Sequence, residues 1–337
     1  MDRVRLGGIK IAEGRSHMVI ARPADEGALA DITARLAAER INLTQLAFMA
    51  ANREQDEAIS LCVERADGFT SYFLIKALLG HGDRIHLRED ANILAIFPHD
   101  KKTVVTGNLL VQLAAMPIPV YGFASTPAAM AFVVAAADTA RAIDGLFDAF
   151  TFPAYPSPFD WHAAYQGQEQ VLKEIICSYE EQVIKVYNVA QETDLDLWRL
   201  DLPAAQLGAL GTVFQDLDPF GIRLPFLVAA PLQETAEVLR LTCCFARSAA
   251  ARVETCLAER LPHLQPIRYQ SVALFSLVGP HFGDRHGITH ALANAMRKAT
   301  VTPLAMSCAM HSVSVVVSET ELDRTLQVLS HSFHIPA

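Results

Sequence analysis

The sequence predicts an α+β fold of four β-α-β-β-α-β units, arranged as two interlocked tandem pairs. Short apolar strands alternate with amphipathic helices along the chain. The strand-turn-strand segment from Gly7 to Arg22 has a counterpart from Lys173 to Asn188, which indicates an internal repeat. Both halves also end alike, with a helix that runs into Ala149 to Pro153 in the first and Ser332 to Pro336 in the second.

The first unit shows the pattern in full. Met18 to Arg22 is predicted as a strand, and Ala28 to Arg40 as a helix because Leu29, Ile32 and Leu36 recur at helical spacing. The elements that follow are strands at Leu43 to Ala50 and Ala58 to Glu64, a helix at Phe69 to Leu79, and a strand at Arg84 to Leu87. This order is that of the ferredoxin-like fold.

The second unit repeats this order but lacks a closing strand. Its elements are a strand at Ile93 to Phe97, a helix at Gly107 to Met116, strands at Val120 to Ala124 and Met130 to Ala135, and a final helix. Ile143, Leu146 and Phe150 lie on one face of that final helix.

The third and fourth units follow the same plan in the second half. Leu207, Leu210 and Phe214 stripe the first helix of the third unit, and Val253 and Leu257 stripe its second. The elements of the fourth unit are a strand starting at Val272, a helix at Ile288 to Met296, strands at Pro303 to Ser307 and Val313 to Val317, and a helix ending near Phe333. Here too the closing strand is missing.

Two extra leading strands explain these absences. Gly7 to Ala12 would complete the sheet of the second unit, and Lys173 to Ser178 that of the fourth, so that each pair interlocks. The predicted boundaries are 13–89 for unit one, 5–12 with 90–152 for unit two, 153–171 for a connector, 181–268 for unit three, and 172–180 with 269–337 for unit four. The connector has too much proline for a helix and too many aromatics for a free linker, so we expect it to pack.

The composition of the chain limits which kinds of protein it could be. The chain has 337 residues, of which 51% are hydrophobic and 19% charged, enough for several packed cores. A net charge of −9 with scattered Lys and Arg argues against nucleic acid as a partner. The N-terminus lacks an apolar signal core, and no apolar run reaches the length of a membrane span. We therefore predict a cytoplasmic protein that contacts neither membrane nor nucleic acid.

The six cysteines form no C-x-x-C pair. Most lie in predicted strands or amphipathic helices, so we expect buried thiols. A reactive pair at Cys243 and Cys244 is the alternative, although adjacent strand residues point to opposite faces.

The segment GGIKIAEGRSHMVIARPADEGALADITARLAAERINLTQL (Gly7 to Leu46) resembles the tandem ACT region of aspartokinases. It has that family's order of a Gly-Ile strand, an acidic turn, an apolar strand, a Pro-Asp-x-x-Gly loop, a helix and Ile-Asn before the next strand. VGPHFGDRHGITHALANAM (Val278 to Met296) is similar to the strand end, loop and Gly-initiated helix of the other aspartokinase ACT unit.

The kinase signature of that family is missing. Aspartokinases begin with a kinase domain marked by Lys-Phe-Gly-Gly-Thr-Ser, which this sequence lacks, and it has no G-x-x-x-x-G-K-[ST] or G-x-G-x-x-G loop. The resemblance therefore implies a duplicated regulatory region without the kinase domain, and a protein that is not an enzyme and holds no cofactor.

The resemblance implies amino-acid binding at seams between ACT units. Helix N-termini there would receive a carboxylate, and an acidic side chain the ammonium. The candidate ligand-binding residues are Asp25, Glu26, Gly27, Ala28, Asn42 and Leu43 in the first unit, and Gly283, Asp284, Gly287 and Ile288 in the fourth. An alternative interpretation is structural, with Asp25 as a helix cap and Asn42 as a turn residue.

Other loops depart from the family pattern. The second unit has Ile118 to Val120, and the third Gly221 to Arg223, where the family has Asn. His281, His286 and His290 suggest a metal site, but no Glu completes an H-E-x-x-H frame, so no metal is predicted.

These observations lead to a functional prediction with two rivals. We expect a non-catalytic regulator that binds an amino acid at ACT seams, with an enzyme or a second copy of the chain as its protein partner. The first rival is a ligand-independent regulatory or scaffold subunit that acts on an enzyme such as an aspartokinase in trans. The second is an enzyme that uses the histidine-rich loop of the fourth unit.

Overall fold

A computed structural model gives the architecture. It describes residues 3–22, 28–51, 56–116, 118–165, 184–279, 282 and 285–334. No helix in these ranges is both long and apolar enough to cross a membrane.

The described residues form strands and helices in the alternation that the sequence predicts. The strands are β1 (Val4–Arg5), β2 (Gly8–Arg22), β3 (Gln45–Met49), β4 (Glu57–Glu64), β5 (Arg84–Phe97), β6 (Gly122–Ser125), β7 (Met130–Ala135), β8 (Phe150–Thr151), β9 (Ile184–Lys185), β10 (Asn188–Pro203), β11 (Phe226–Pro231), β12 (Val238–Ala246), β13 (Ile267–Val278), β14 (Ala305–Ala309), β15 (Ser312–Ser318) and β16 (Phe333–His334). The helices are α1 (Ala28–Ala38), α2 (Gly68–Lys76), α3 (Thr103–Ala115), α4 (Thr139–Ala149), α5 (Pro158–Tyr165), α6 (Leu207–Leu217), α7 (Ala250–Arg260), α8 (Ile288–Lys298) and α9 (Leu322–Leu329).

Twelve of the strands close into a ring of antiparallel neighbours. The order around it is β10-β12-β11-β6-β7-β5-β2-β4-β3-β14-β15-β13. Closure leaves no unpaired edge among these strands, which removes the exposed backbone groups that make open sheets prone to association. Two short parallel pairs, β1 with β8 and β9 with β16, lie outside the ring.

The long strands are β2, β5, β10 and β13. Each pairs with one neighbour along most of its length and with a second neighbour along one part. The first part of β2, Gly8 to Ala12, pairs with Phe97 to Ile93 of β5, as predicted for the leading strand. After a register shift between Ala12 and Arg15, the remainder of β2 pairs with β4 on one side and the first part of β5 on the other. The predicted leading strand and the first strand of unit one are therefore one continuous strand.

The second half uses the same arrangement at a position that the sequence did not predict. Asn188 to Glu192 of β10 pairs with Val278 to Leu274 of β13, and Leu195 to Pro203 pairs with β12. The predicted leading strand at Lys173 to Ser178 lies outside the described residues. Among the described residues, the strand segment that pairs with the second part of β13 is Asn188 to Glu192. It is the first part of β10, a continuous strand of 16 residues with a register shift after Glu192.

The ring has outer clusters that pack against helices and inner clusters formed by its strands and loops. Met18 and Ile20 of β2 join a cluster that includes α1, α2, α8 and α9, while Leu94 and Ile96 of β5 join one that includes α3, α4, α6 and α7. Two further clusters consist of strand and loop residues and include no helix; Ile93 lies in one of them. The ring therefore packs helices on its outside and its own strands against each other inside, as strand alternation requires.

The described part of the connector, which follows unit two, packs as predicted, but it contains a helix, contrary to the prediction. Pro158 is the first residue of α5, where its missing N–H breaks no helical hydrogen bond. Trp161 is buried, and its Nε1–H donates to the Ile9 carbonyl oxygen at 3.3 Å. The Tyr165 hydroxyl donates to the Ile11 carbonyl oxygen at 2.8 Å, so α5 is fixed against β2.

Candidate functional site

The candidate site lies where α1 and α8 pack side by side. Ile32 and Leu36 of α1 are buried against Ile288 and Leu292 of α8 in one apolar cluster. At the surface, Arg297 donates to Asp31 across the same boundary at 2.6 Å. We call this boundary the α1–α8 seam, lined by Thr33, Leu36, Ala37, Ile41, Asn42, Leu43, Phe282, Arg285, Gly287, Ile288, Thr289 and His290.

The seam unites predicted residues from the two ends of the sequence. Asn42 and Leu43, after α1, line the same small cavity as Gly287 and Ile288 at the start of α8. Ala28 is buried as the first residue of α1 and does not line this cavity. The other candidates lie outside the described residues: Asp25, Glu26, Gly27, Gly283 and Asp284.

Backbone geometry at α8 favours an anionic group in the seam. Gly287, the residue before the helix, has φ of +85°, a left-handed conformation that glycine adopts readily. The first-turn N–H groups of α8, from Ile288 to His290, lie at the cavity, and such groups bind carboxylates. The Nδ1 atom of His290 is buried without a hydrogen-bond partner, which a ligand would supply.

The sequence missed several of these residues for identifiable reasons. Thr33 is an interior position of α1, where no motif distinguishes a ligand contact from packing, and the sequence suggested His290 only as a metal ligand. The Thr33 hydroxyl already donates to the Leu29 carbonyl oxygen at 2.7 Å. Only the pairing of α1 with α8, more than 200 residues apart in sequence, brings these side chains together.

The cavity in the seam is small in this conformation. Its volume is about 10 Å³, enough for a single water molecule. An amino acid would enter only if the lining side chains moved apart.

The matching seam between α3 and α6 is closed. Gln215 donates to Asn108 across it at 2.8 Å, and the helix backbones touch through two glycines. The two seams therefore differ, and the α1–α8 seam has a cavity lined by predicted ligand-binding residues.

A second, larger cavity of about 320 Å³ opens between the strands of the ring. His17, Val19, Tyr121 and Pro231 are its buried members, and Arg88 is half-buried beside them. The His17 Nε2 atom lies 2.8 Å from the Ser60 hydroxyl oxygen. Burial, and secondarily the charge of Arg88, lowers the pKa of His17 to about 3, so its ring is neutral at physiological pH.

The histidines of unit four do not form a metal site in the part of the chain that the structure describes. His281 lies outside the described residues, whereas His286 and His290 lie within them. Among described side chains, no group of three His, Cys, Asp or Glu could hold a metal ion.

The described cysteines are buried, as predicted. Burial raises the pKa of Cys62 to about 12 and that of Cys308 to about 11. Burial also raises the pKa of both Cys243 and Cys244, so this pair is not primed for nucleophilic chemistry. Cys177 lies outside the described residues.

Comparison with known proteins shows which solved structures have a similar fold. No family model matches the chain, and no curated protein does. The chain is similar to the crystal structure of aspartate kinase from Synechocystis, with a TM-score of 0.80 and 13% identity over 98% of this chain. It spans 56% of that kinase chain. The regulatory subunit of aspartate kinase from Thermus thermophilus is also similar, with 18% identity over 44% of this chain and 98% of that one, at a TM-score of 0.39.

These matches correct three predictions. The structure that matches 98% of this chain, at a TM-score of 0.80, is an aspartate kinase and not an isolated regulatory region. The prediction of a resemblance limited to a regulatory region that lacks the kinase domain is contradicted. So are the predicted non-catalytic function, in both its regulatory and its scaffold form, and the prediction that the protein is not an enzyme. The mixed architecture of helices and strands is confirmed.

Proposed function

We propose that this chain works in an aspartate kinase, an enzyme that transfers a phosphoryl group to aspartate, and that the α1–α8 seam binds an amino acid that controls the reaction. The observation that carries the enzymatic assignment is the match of 98% of the chain to a whole aspartate kinase at a TM-score of 0.80. Since the chain spans 56% of that kinase, the assignment of its activity to this chain is part of the proposal.

We further propose that the ring consists of four ACT units in two interlocked pairs. The strand order β3-β4-β2-β5 is that of a ferredoxin-like unit, and β6-β7-β5-β2, β11-β12-β10-β13 and β14-β15-β13-β10 repeat it. In each pair the long strands are shared, which supports interlocking. The proposed boundaries are those predicted from the sequence, except that Asn188 to Glu192 supplies the leading strand of unit four.

The α1–α8 seam supports the ligand assignment through its chemistry. The first turn of α8 offers N–H groups for a carboxylate, and Gly287 lets a ligand approach the backbone closely. His290 adds a buried nitrogen without a partner. Asn42, with an amide that both donates and accepts, faces the same cavity from the other unit.

The small volume of the seam suggests how binding would control the enzyme. A ligand larger than water must separate α1 from α8, so it binds the separated arrangement better than the closed one. A ligand shifts a conformational equilibrium by its differential affinity for the two states. Because the same helices belong to units from opposite halves, their separation would change how the two pairs pack.

The activity is tested with the purified full chain in an assay for aspartate-dependent release of ADP from ATP. We expect turnover, and a change in rate on addition of one amino acid from a panel of lysine, threonine, methionine and the aromatic residues. Asn42→Ala should weaken that effect about tenfold or more, since a buried polar contact is lost. Asn294→Ala is the matched control, since Asn294 is on α8 but does not line the seam.

Two outcomes separate the parts of this proposal. Absence of aspartate-dependent turnover would remove the enzymatic assignment. If no amino acid of the panel changed the rate of turnover or the unfolding temperature, the assignment of a ligand site to the seam would be wrong. A homodimer and a cytoplasmic location, both predicted from the sequence, remain predictions, and sedimentation would measure the first.

A further inference from the structure

The larger cavity between the strands of the ring has no role in the proposed function. Its volume of about 320 Å³ exceeds that of the seam cavity many times. It is lined by residues of β2 and β5, by Tyr121 before β6, and by Glu234 of the β11–β12 connection. Four separate parts of the chain thus converge on it.

Arg88 supplies a positive group to this cavity. Among the described residues no carboxylate lies within ion-pair distance of its guanidinium. The guanidinium carbon instead lies 3.9 Å from the centroid of the Tyr121 ring. A guanidinium that stacks on an aromatic face keeps its N–H edge free for a planar anion such as a carboxylate.

His17 defines the buried end of the cavity without adding charge. Its Nε2 atom is engaged with Ser60, and the ring is only 2% exposed. Because burial and Arg88 keep its pKa near 3, the imidazole is neutral at physiological pH. The positive charge at this end therefore comes from Arg88.

The solvent side of the cavity is acidic. Glu234 is exposed, lies 3.5 Å from the Nδ1 atom of His86, and lines the opening. Asp90, also at the opening, pairs with Arg65. Carboxylates at this position would repel a simple dianion and attract an ammonium group.

We propose that this cavity binds a small zwitterion whose carboxylate pairs with Arg88 and whose ammonium pairs with Glu234. The site is separate from the α1–α8 seam and shares no residue with it. Its occupant is a molecule with one group of each sign, and the distance between those groups sets the preferred length.

The test uses the full chain and a series of linear ω-amino carboxylates, from β-alanine to 6-aminohexanoate, in calorimetric titrations. Glutarate, with two carboxylates, and cadaverine, with two ammonium groups, are the comparison probes. We expect one length in the series to bind at least tenfold more tightly than either comparison probe. Absence of binding by the whole series at millimolar concentration, or equal binding by glutarate, would overturn the proposal.

Paired variants identify the residues. Arg88→Gln should raise the dissociation constant of the best probe at least tenfold, the loss expected for a charged hydrogen bond. Glu234→Gln should weaken that probe and remove its advantage over glutarate. Arg84→Gln and Glu237→Gln remove the same charges from β5 and from the end of the β11–β12 connection without touching the cavity, so they should leave binding unchanged.

The result is independent of the proposed function. Asn42→Ala alters the seam and should leave binding of the probe series intact. If Arg88→Gln bound the probe as tightly as the unmodified chain while retaining its unfolding temperature, Arg88 would not be the anion partner.

Discussion

Gly107 of α3 and Gly211 of α6 bring two helix backbones into direct contact. A methyl group added to Gly107 would lie 2.6 Å from the Gly211 carbonyl oxygen, and one added to Gly211 would lie 2.7 Å from the Gly107 carbonyl oxygen. Both distances are too short for real atoms, and a helix backbone cannot easily yield. The close approach of α3 and α6 therefore depends on glycine at both positions.

Replacement of Gly107 by alanine should destabilise the protein. Alanine favours a helix over glycine by up to about 1 kcal/mol, but overpacking against a rigid backbone costs about 1–3 kcal/mol. We expect a net decrease in the free energy of unfolding, measured by urea denaturation. Gly208→Ala in the same region meets only the Ala114 Cβ atom, at 3.1 Å, and should cost less. Equal stability of both variants would show that the helices can separate freely.

Two buried arginines on neighbouring strands should respond oppositely to removal. Arg199 is 2% exposed, and its Nε and Nη1 atoms have no hydrogen-bond partner. Burial lowers its pKa, the direction expected when a charge is desolvated. We expect Arg199→Met to raise the free energy of unfolding by about 1–3 kcal/mol, since it removes a buried charge that the Tyr269 ring, 5.3 Å from the guanidinium carbon, compensates only in part.

Arg240 is the matched comparison because its charge is fully engaged. It forms two 2.8 Å hydrogen bonds to the Asp201 carboxylate and donates to the Asp56 carbonyl oxygen at 2.5 Å. Arg240→Met should lower the free energy of unfolding by about 3–5 kcal/mol, since it removes the buried guanidinium that binds the Asp201 carboxylate. Thermal and urea denaturation of both variants measure the contrast. Destabilisation by Arg199→Met of the same size would mean that its guanidinium has a partner.

His17 should make the protein less stable as the pH falls. The unfolded histidine takes up a proton near pH 6.5, whereas the folded one does so only near its pKa of about 3. Between these values the unfolded state binds more protons, so acid favours unfolding. The contribution is fully present above pH 6.5 and declines by up to about 1.4 kcal/mol per pH unit below it.

His17→Gln isolates this contribution. The variant keeps a polar side chain for Ser60 but cannot titrate, so its free energy of unfolding should fall less between pH 6.5 and pH 4 than that of the unmodified chain. His81→Gln, at an exposed histidine, should preserve the original pH dependence. A His17→Gln variant with the same slope as the unmodified chain would show that His17 does not carry the effect.

Some parts of the fold could be predicted from the sequence because local residue patterns determine them. Leu29, Ile32 and Leu36 predicted α1 through helical spacing, and the structure places all three in one buried cluster. The pairing of Gly8 to Ala12 with β5 followed from a missing closing strand. The helix α5 was missed because Pro158 counted against a helix, although proline is favoured at a first helical position.

The two candidate cavities also differ in how far the sequence predicts them. Asn42 and Gly287 could be predicted because each follows a family-like local motif, and the structure brings them to one cavity. The larger cavity could not be predicted, since it depends on which face of β5 Arg88 occupies and on the approach of Glu234 from the other half of the chain. Neither relationship leaves a signal in local sequence.

The helix α5 should act as a clamp on the first part of β2. Trp161 is buried, stacks on Tyr165 with ring centroids 4.9 Å apart, and bonds to the Ile9 carbonyl. Trp161→Ala should lower the free energy of unfolding by about 3–5 kcal/mol, the range for a buried aromatic. Trp161→Phe keeps a ring but loses the hydrogen bond, so it should cost less, with about 1 kcal/mol from that bond.

Hydrogen exchange distinguishes a clamp from general packing. If α5 holds β2 locally, Trp161→Ala should increase amide exchange from Gly8 to Ala12 more than in β12, which lies elsewhere in the ring. Phe159 is 78% exposed on the same helix, so Phe159→Ala should change neither stability nor exchange appreciably. A uniform increase in exchange across the ring would argue against a clamp, because it would show that Trp161 supports the whole core and not this strand in particular.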